Sequence, residues 1–134
     1  MQTGIVPADY LEAKKATIAA CSFPGPVYLR LGKDPSPNVT KEEDLFEIGK
    51  ASVLKDGKDL TLIACGVMVI EALKASEALE KEGIGARVLN LHTIKPIDKK
   101  AIIDAARQTG AILTAEEHTV IGGLGSAVAE VVVK

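Results

Sequence analysis

From Asp59 to the last residue, apolar strand-like runs alternate three times with helical patterns. "DLTLIACG", "ARVLNLHTI" and "AILTAEEH" are rich in β-branched and aliphatic residues. "VMVIEALKASEALEKEG", "KKAIIDAARQTG" and "SAVAEVVVK" repeat their apolar residues at helical spacing. Parallel neighbours need a long crossover, and a helix supplies it. The order strand, helix, strand, helix, strand, helix therefore predicts right-handed βαβ units and a mostly parallel sheet covered on both faces. Ahead of it, "FEIGKASVL" is strand-like and reaches "DLTLIACG" through "KDGKD". Asp56-Gly57 is a hairpin turn signal, so this hairpin is expected to add an antiparallel edge strand. Hydrophobic residues make up 47% and aromatics only 3%, so Val, Ile, Leu and Ala must fill the core.

Boundaries and caps are also legible. Asp9 with Glu12 forms a capping-box-like start for a helix over Tyr10–Cys21, which stops before Pro24. "PVYLRLG" reads as a strand. Asp98 is a candidate N-cap, and Gly83 and Gly110 are helix stops. On the helix after "DLTLIACG", Val69, Ala72, Leu73, Ser76 and Leu79 share one face. Glu77 and Lys81 stand in the favourable i,i+4 order on the other. "KDPSPNVTKEED" breaks the pattern with two prolines and a charge run. The chain is thus expected to divide into residues 1–33, a linker over 34–45, and a main unit over 46–134. One helix and one strand before the linker are too little for a core, and read as the tail of something larger.

The formal net charge is -2, with acids and bases interspersed, which argues against a nucleic-acid partner. No uncharged run of about 20 residues suits a membrane span, and no secretory pattern opens the chain. Cys21 and Cys65 read as buried thiols of a reducing cytoplasm rather than a disulfide.

Three places could carry chemistry. The stretch "TAEEHTVIGGLGSAVAE" puts Glu116, Glu117 and His118 at the carboxyl end of a parallel strand, where α/β sheets bind ligands. Glu116 and His118 share a face, so a carboxylate could orient an imidazole; the competing reading is a polar network at a strand end or subunit contact. Gly123-Leu124-Gly125-Ser126-Ala127-Val128 fails the dinucleotide fingerprint at its third glycine and lacks the lysine of a phosphate loop. It is either an anion site at a helix start or a tight strand-to-helix turn. His92 ends another strand and could pair with His118, though a structural role is the commoner one; Lys95 and Asp98 serve the loop and the cap. Arg30 and Lys33 in "LRLGK" set two cations beside a glycine at a strand end, either surface charge or a holder for phosphate or carboxylate.

"VPADYLEAKKA", "GPVYLRLGK", "NLHTIKPID" and "TAEEHTVIGGLGSAVAEVV" occur in that order and spacing over almost the whole chain. In this combination the chain resembles the C-terminal part of transketolase, most closely the C-terminal subunit of split transketolases. Deoxyxylulose-phosphate synthases and the beta subunits of 2-oxo acid dehydrogenases carry related versions.

The resemblance implies a three-layer α/β sandwich for 46–134, and the last helix and strand of a pyrimidine-binding thiamine diphosphate domain for 1–33. It implies a cytoplasmic, dimeric enzyme of the pentose phosphate pathway type that moves two-carbon ketol units between sugar phosphates. Thiamine diphosphate and magnesium belong to the complete enzyme; none is expected on this chain alone. The partner is an N-terminal transketolase subunit or domain, and catalytic residues lie outside this chain, which is expected to be inactive by itself. In the family a basic residue after the "GP" strand binds the sugar phosphate. The matching position is Lys33, where arginine is usual, with Arg30 as the second candidate. Glu117, His118 and His92 are then expected in an interface or polar network. Similar proteins continue past "AEVVVK", so the main unit is expected to be truncated and to self-associate. The alternatives are an interaction module without substrate contact, or part of a deoxyxylulose-phosphate synthase.

Overall fold

The computed structural model describes residues 1–134. It holds seven strands and four helices in the order β1 (Thr3–Ile5), α1 (Tyr10–Ser22), β2 (Val27–Leu29), β3 (Ser52–Lys55), β4 (Leu60–Ala64), α2 (Met68–Lys81), β5 (Ala86–Asn90), β6 (Thr93–Lys95), α3 (Lys99–Thr109), β7 (Ile112–Ala115) and α4 (Leu124–Val132). The main sheet runs β3-β5-β4-β7, with β5, β4 and β7 parallel and β3 antiparallel at one edge. The α2 face packs Leu62, Ala64, Val69, Ala72, Ala86 and Val88 together. The α3/α4 face packs Ile63, Cys65, Leu89, Ile102, Leu124 and Val128. Alternation along β4 and β5 feeds both cores, which is why these strands read as continuous apolar runs. The result is the expected three-layer α/β sandwich.

The hairpin expectation is corrected. β3 and β4 do not pair; β5 lies between them. Asp56-Gly57 does turn the chain, but the turn lies across the start of β5. A Cβ on Gly57 would sit 2.5 Å from the Ala86 carbonyl carbon and the Arg87 nitrogen. β3 keeps one flank open, whereas Val88, Leu89 and Asn90 of β5 are buried. The more apolar strand takes the interior position. The run "FEIGKASVL" yields a strand only over Ser52–Lys55.

A second correction concerns "ARVLNLHTI", which is two strands. After Asn90 the chain leaves the main sheet, and β6 enters a three-stranded sheet of order β2-β1-β6. β1 has no counterpart in the order expected from the sequence. It pairs parallel with β2 and antiparallel with β6, so residues 1–33 are joined to the main unit by backbone hydrogen bonding. The Val6 N–H donates to the His92 carbonyl at 2.7 Å, and the Gly66 N–H to the Val6 carbonyl at 3.2 Å.

Caps follow the sequence closely. Asp9 accepts from the Glu12 N–H, and Glu12 reaches back to the Ala8 N–H. Asp98 caps α3 through the Ala101 N–H, and Gly110 ends it with φ 69°. The 34–45 connection is fastened over α1: Asp9 accepts from the N–H groups of Val39 and Thr40 at 2.7 and 2.6 Å and binds the Thr40 hydroxyl. Lys15 donates to the carbonyls of Lys41 and Asp44. Two smaller expectations fail. Glu77 and Lys81 form no ion pair, while Lys74 binds Glu71 and Lys55 binds Glu80. Both cysteines are free, but only Cys65 is buried; Cys21 is exposed.

Candidate functional site

The carboxyl ends of β2, β4 and β7 meet where the two sheets join. Two adjoining clefts, of about 240 and 230 Å³, open there. Arg30 and Cys65 line both. Lys33, Gly66 and Glu117 line the first; Tyr28, Lys95, Glu116 and His118 line the second. β2 delivers Arg30 and Lys33 because Arg30 follows its last residue directly, and the Arg30 N–H continues the pairing by donating to the Ile5 carbonyl. β4 delivers Cys65 and Gly66. Gly66 has φ 59°, and a Cβ on it would meet the Val6 side chain at 2.9 Å, so this turn requires glycine.

Arg30 and Lys33 are brought together, but they are employed differently. The Arg30 guanidinium donates to the Glu117 backbone carbonyl at 2.7 Å and ties β2 to the end of β7. Lys33 is exposed and has neither an ion-pair nor a hydrogen-bond partner, so it is the cation of the first cleft left for a ligand. An ammonium on a flexible stem attracts phosphate as a point charge, without the bidentate fork of arginine.

Glu116, Glu117 and His118 do not form an acid–base pair. The Glu116 carboxylate turns onto the glycine loop, where Oε1 accepts from the Gly125 N–H at 3.3 Å. A Cβ on Gly123 would lie 2.7 Å from the Glu116 carboxyl carbon, so Gly123 makes room for that carboxylate. The start of α4 is thereby filled by the protein's own acid. This favours the turn reading of "GGLG" over a free anion site. His118 is exposed, with Nδ1 2.8 Å from the Thr119 carbonyl. The Glu117 side chain is exposed.

His92 lies elsewhere, 1% exposed, in the crossing between the two sheets. Its Nδ1 is 2.8 Å from the Thr93 hydroxyl, and its ring stacks on Phe46 with centroids 4.3 Å apart. Burial pushes its pKa down to about 4, against the pull of Asp98 and the Lys50 backbone, so it is a neutral core imidazole near pH 7. It makes no contact with His118. Cys65 is held as a thiol: burial, reinforced by Glu116 and opposed by Arg30, pushes it up to about 12.

Cys65 and Gly66 line the clefts without standing out in the sequence as site residues. Their signal is positional. "ACG" ends a parallel strand, as "AEE" does, and the ends of such strands converge.

No group of three or more His, Cys, Asp and Glu side chains is gathered to hold a metal ion. With Glu116 turned onto it, the start of α4 offers no free cradle for a diphosphate.

Comparison with known proteins gives a consistent picture. Residues 49–134 match the family model described as transketolase, C-terminal domain. The chain is 49% identical over 124 residues to the 6-deoxy-6-sulfo-D-fructose transketolase subunit of Clostridium sp. (strain MSTE9), covering 92% of this chain and 38% of that one. It is 44% identical over 127 residues to an apulose-4-phosphate transketolase subunit of Phocaeicola vulgatus, covering 94% and 41%. The 1-deoxy-D-xylulose-5-phosphate synthase of Heliobacterium modesticaldum is 41% identical over 94% of this chain and 20% of its own. A solved structure described as a split gene transketolase, inactive beta4 tetramer, superimposes with a TM-score of 0.96 at 48% identity, covering 98% of this chain and 44% of that chain. The chain thus spans about two fifths of the transketolase subunits it matches.

Proposed function

This chain belongs to the transketolase family, and we propose that it is the C-terminal portion of a transketolase-like enzyme transferring two-carbon ketol units between sugar phosphates. The observation that carries this reading is its superposition, over nearly its full length, on a split gene transketolase. In this reading residues 1–33 are the tail of the pyrimidine-binding domain, 34–45 the linker and 46–134 the C-terminal domain, in keeping with a family match that begins at residue 49. The enzyme works in the cytoplasm, on the pentose phosphate type of substrate, as an assembly of several subunits.

The chain's own contribution is substrate binding and scaffolding. Lys33 attracts the anionic end of the sugar, while Arg30 braces the strand that presents it through the Glu117 carbonyl. A lysine accepts a sulfonate or a phosphate by charge alone, and relatives carry names with a sulfo sugar and a sugar phosphate. Glu117 and His118 belong to a polar network at a subunit contact, and His92 to the core beneath it. When bound, thiamine diphosphate with magnesium supplies the carbanion chemistry. The residues here do not fit that group, so its site is assigned to the N-terminal partner subunit, and the isolated chain is inactive.

Mixing the chain with an N-terminal transketolase subunit, thiamine diphosphate and magnesium should give ketol transfer from a ketose phosphate to an aldose phosphate. Lys33→Ala should raise KM for the phosphorylated sugar about tenfold with kcat little changed, as expected for loss of uniform binding. No transfer with a partner that works with a longer C-terminal subunit would favour the interaction-module reading. Activity only with pyruvate as two-carbon donor would point to the deoxyxylulose-phosphate synthase branch. Calorimetric titration with ribose 5-phosphate tests Lys33 separately; weak binding at most is expected for the isolated chain.

A further inference from the structure

One wall of the Lys33 cleft is Val6-Pro7, at the start of the link between β1 and α1. Proline has no N–H to donate, so its neighbours must fix the wall. On one side the Val6 N–H donates to the His92 carbonyl at 2.7 Å, and the Val6 carbonyl accepts from the Gly66 N–H at 3.2 Å. On the other the Ala8 N–H donates to Oε1 of Glu12 at 2.9 Å. A capping-box glutamate bonds the N–H of the N-cap residue. Glu12 passes over Asp9, the N-cap of α1, and takes the Ala8 N–H instead.

The same carboxylate is held from the main sheet. Nδ2 of Asn90, the last residue of β5, donates to Oε1 and Oε2 of Glu12 at 3.1 and 2.8 Å. Both residues are buried. Oδ1 of Asn90 is buried with no hydrogen-bond partner. An orphaned acceptor of this kind is costly, and here it follows from aiming the amide donors at Glu12. Asn90 stands in register with Ala64 of β4, and Cys65 and Gly66, which follow Ala64 directly, line the Lys33 cleft. The contacts thus close a ring: Gly66 to Val6, Ala8 to Glu12, Glu12 to Asn90, and Asn90 beside the strand that delivers Gly66. We propose that Glu12 is a positioning residue for the sugar-anion cleft, holding Val6-Pro7 against the Cys65-Gly66 turn through the Ala8 N–H and Asn90. Glu12 itself does not line the cleft.

This role rests on the reading that Lys33 holds the anionic end of the sugar, and the test separates the two. It uses the chain assembled with an N-terminal transketolase subunit, thiamine diphosphate and magnesium. Glu12→Ala should raise KM for ribose 5-phosphate about fivefold and leave kcat within about twofold. In a Lys33→Ala background it should add nothing to KM, because both act on one cleft. If Glu12→Ala does not fold, Glu12→Asp, one methylene too short to reach both Ala8 and Asn90, carries the same prediction. Asn90→Asp sets two carboxylates against each other and should raise KM about tenfold. Adding Glu12→Gln hands an amide to the new carboxylate while its oxygen keeps the Ala8 N–H, so KM should return to within about twofold of its starting value. An unchanged KM in the Glu12 variants, with KM raised in Lys33→Ala, overturns the positioning role alone. So does a loss confined to kcat or to melting temperature, or one that adds to Lys33→Ala, since Glu12 is then a structural tie only. An unchanged KM in Lys33→Ala overturns the cleft reading and this role with it.

Discussion

Replacing Asp9 with alanine tests whether one carboxylate fastens the 34–45 connection to α1. Asp9 is 5% exposed. Oδ1 accepts the Glu12 N–H at 2.8 Å, and Oδ2 accepts the Val39 and Thr40 N–H groups at 2.7 and 2.6 Å. The Thr40 hydroxyl reaches both oxygens, at 2.8 and 2.9 Å. Loss of a helix N-cap alone costs about 1 kcal/mol. Two more backbone donors then lose a charged acceptor, and each buried orphan costs roughly 1–3 kcal/mol. Water entering the vacated space relieves part of this, so about 3 kcal/mol is expected for Asp9→Ala. With a melting entropy of about 2.1 cal/mol/K per residue over 134 residues, that lowers Tm by about 11 °C.

The control is Lys14→Ala, which cuts one exposed tie to the connection and leaves those of Lys15 in place. The Lys14–Glu42 pair is 49% and 65% exposed on its two sides, and should contribute under about 1 kcal/mol. Urea unfolding of both variants measures the difference, and amide exchange localises it. In Asp9→Ala the Val39 and Thr40 amides should lose protection while those of β4 and β5 keep their rank. A loss below about 1 kcal/mol, or Val39 and Thr40 amides that stay protected, would refute the clamp. The pH dependence has a definite sign. Burial pushes the Asp9 carboxyl up, but hydrogen bonds from Glu12, Thr40 and Val39 together outweigh it and hold it below its ordinary value of 3.8. A carboxyl depressed in the fold stabilises above the unfolded pKa, and that stability is lost as pH falls through the folded one. Asp9→Ala should therefore flatten the acid limb of the stability curve.

The other predictions are independent of that clamp. His92 titrates near 6.5 when unfolded and near 4 in the fold, so the unfolded chain binds the extra proton between those values. Stability should fall as pH drops through that window, by up to roughly 3 kcal/mol; a His92→Gln variant with the same slope would sink the assignment. Gly57→Ala should cost about 1–3 kcal/mol, because the added methyl meets β5 backbone rather than a movable side chain; unchanged urea unfolding would contradict the position of that turn. A thiol reagent should modify Cys21 in the folded chain and Cys65 only after unfolding, given their exposure and the raised Cys65 pKa. Rapid labelling of both thiols under native conditions would argue against the burial of Cys65.

The sequence shows where strands lie better than it shows which strands pair. The β4, β5 and β7 runs and the caps at Asp9, Asp98 and Gly110 are legible because periodicity and capping are local properties. Pairing is not local. Asp56-Gly57 has the chemistry of a hairpin turn, yet β5, about thirty residues later, takes the place beside β4 because it buries both faces. β1 escapes notice for a different reason. It has three residues, too few for a period, and its partners are β2 and β6, one of them about ninety residues away. The site divides along the same line. Arg30 and Lys33 stand out as cations at a strand end. The alternation rule joins Glu116 to His118, but the strand ends at Ala115 and the chain bends at Glu117 and His118, so the two side chains part.

The crossing at Leu91 and His92 links the core to the cleft. The His92 carbonyl holds the Val6 N–H, the Val6 carbonyl holds the Gly66 N–H, and Ile5 holds the Arg30 N–H. Val6, Gly66 and Arg30 all line the cleft that contains Lys33. The position of that cleft's unpartnered cation therefore depends on a backbone path that runs through a buried imidazole. Placing charge on that ring beneath Phe46 requires water or a carboxylate to reach it, and either route moves the crossing. Acidification toward pH 4 should thus disturb the Lys33 cleft together with global stability. If the Lys33 ammonium resonance stays constant across a pH range in which His92 titrates in the folded chain, the backbone path does not couple them.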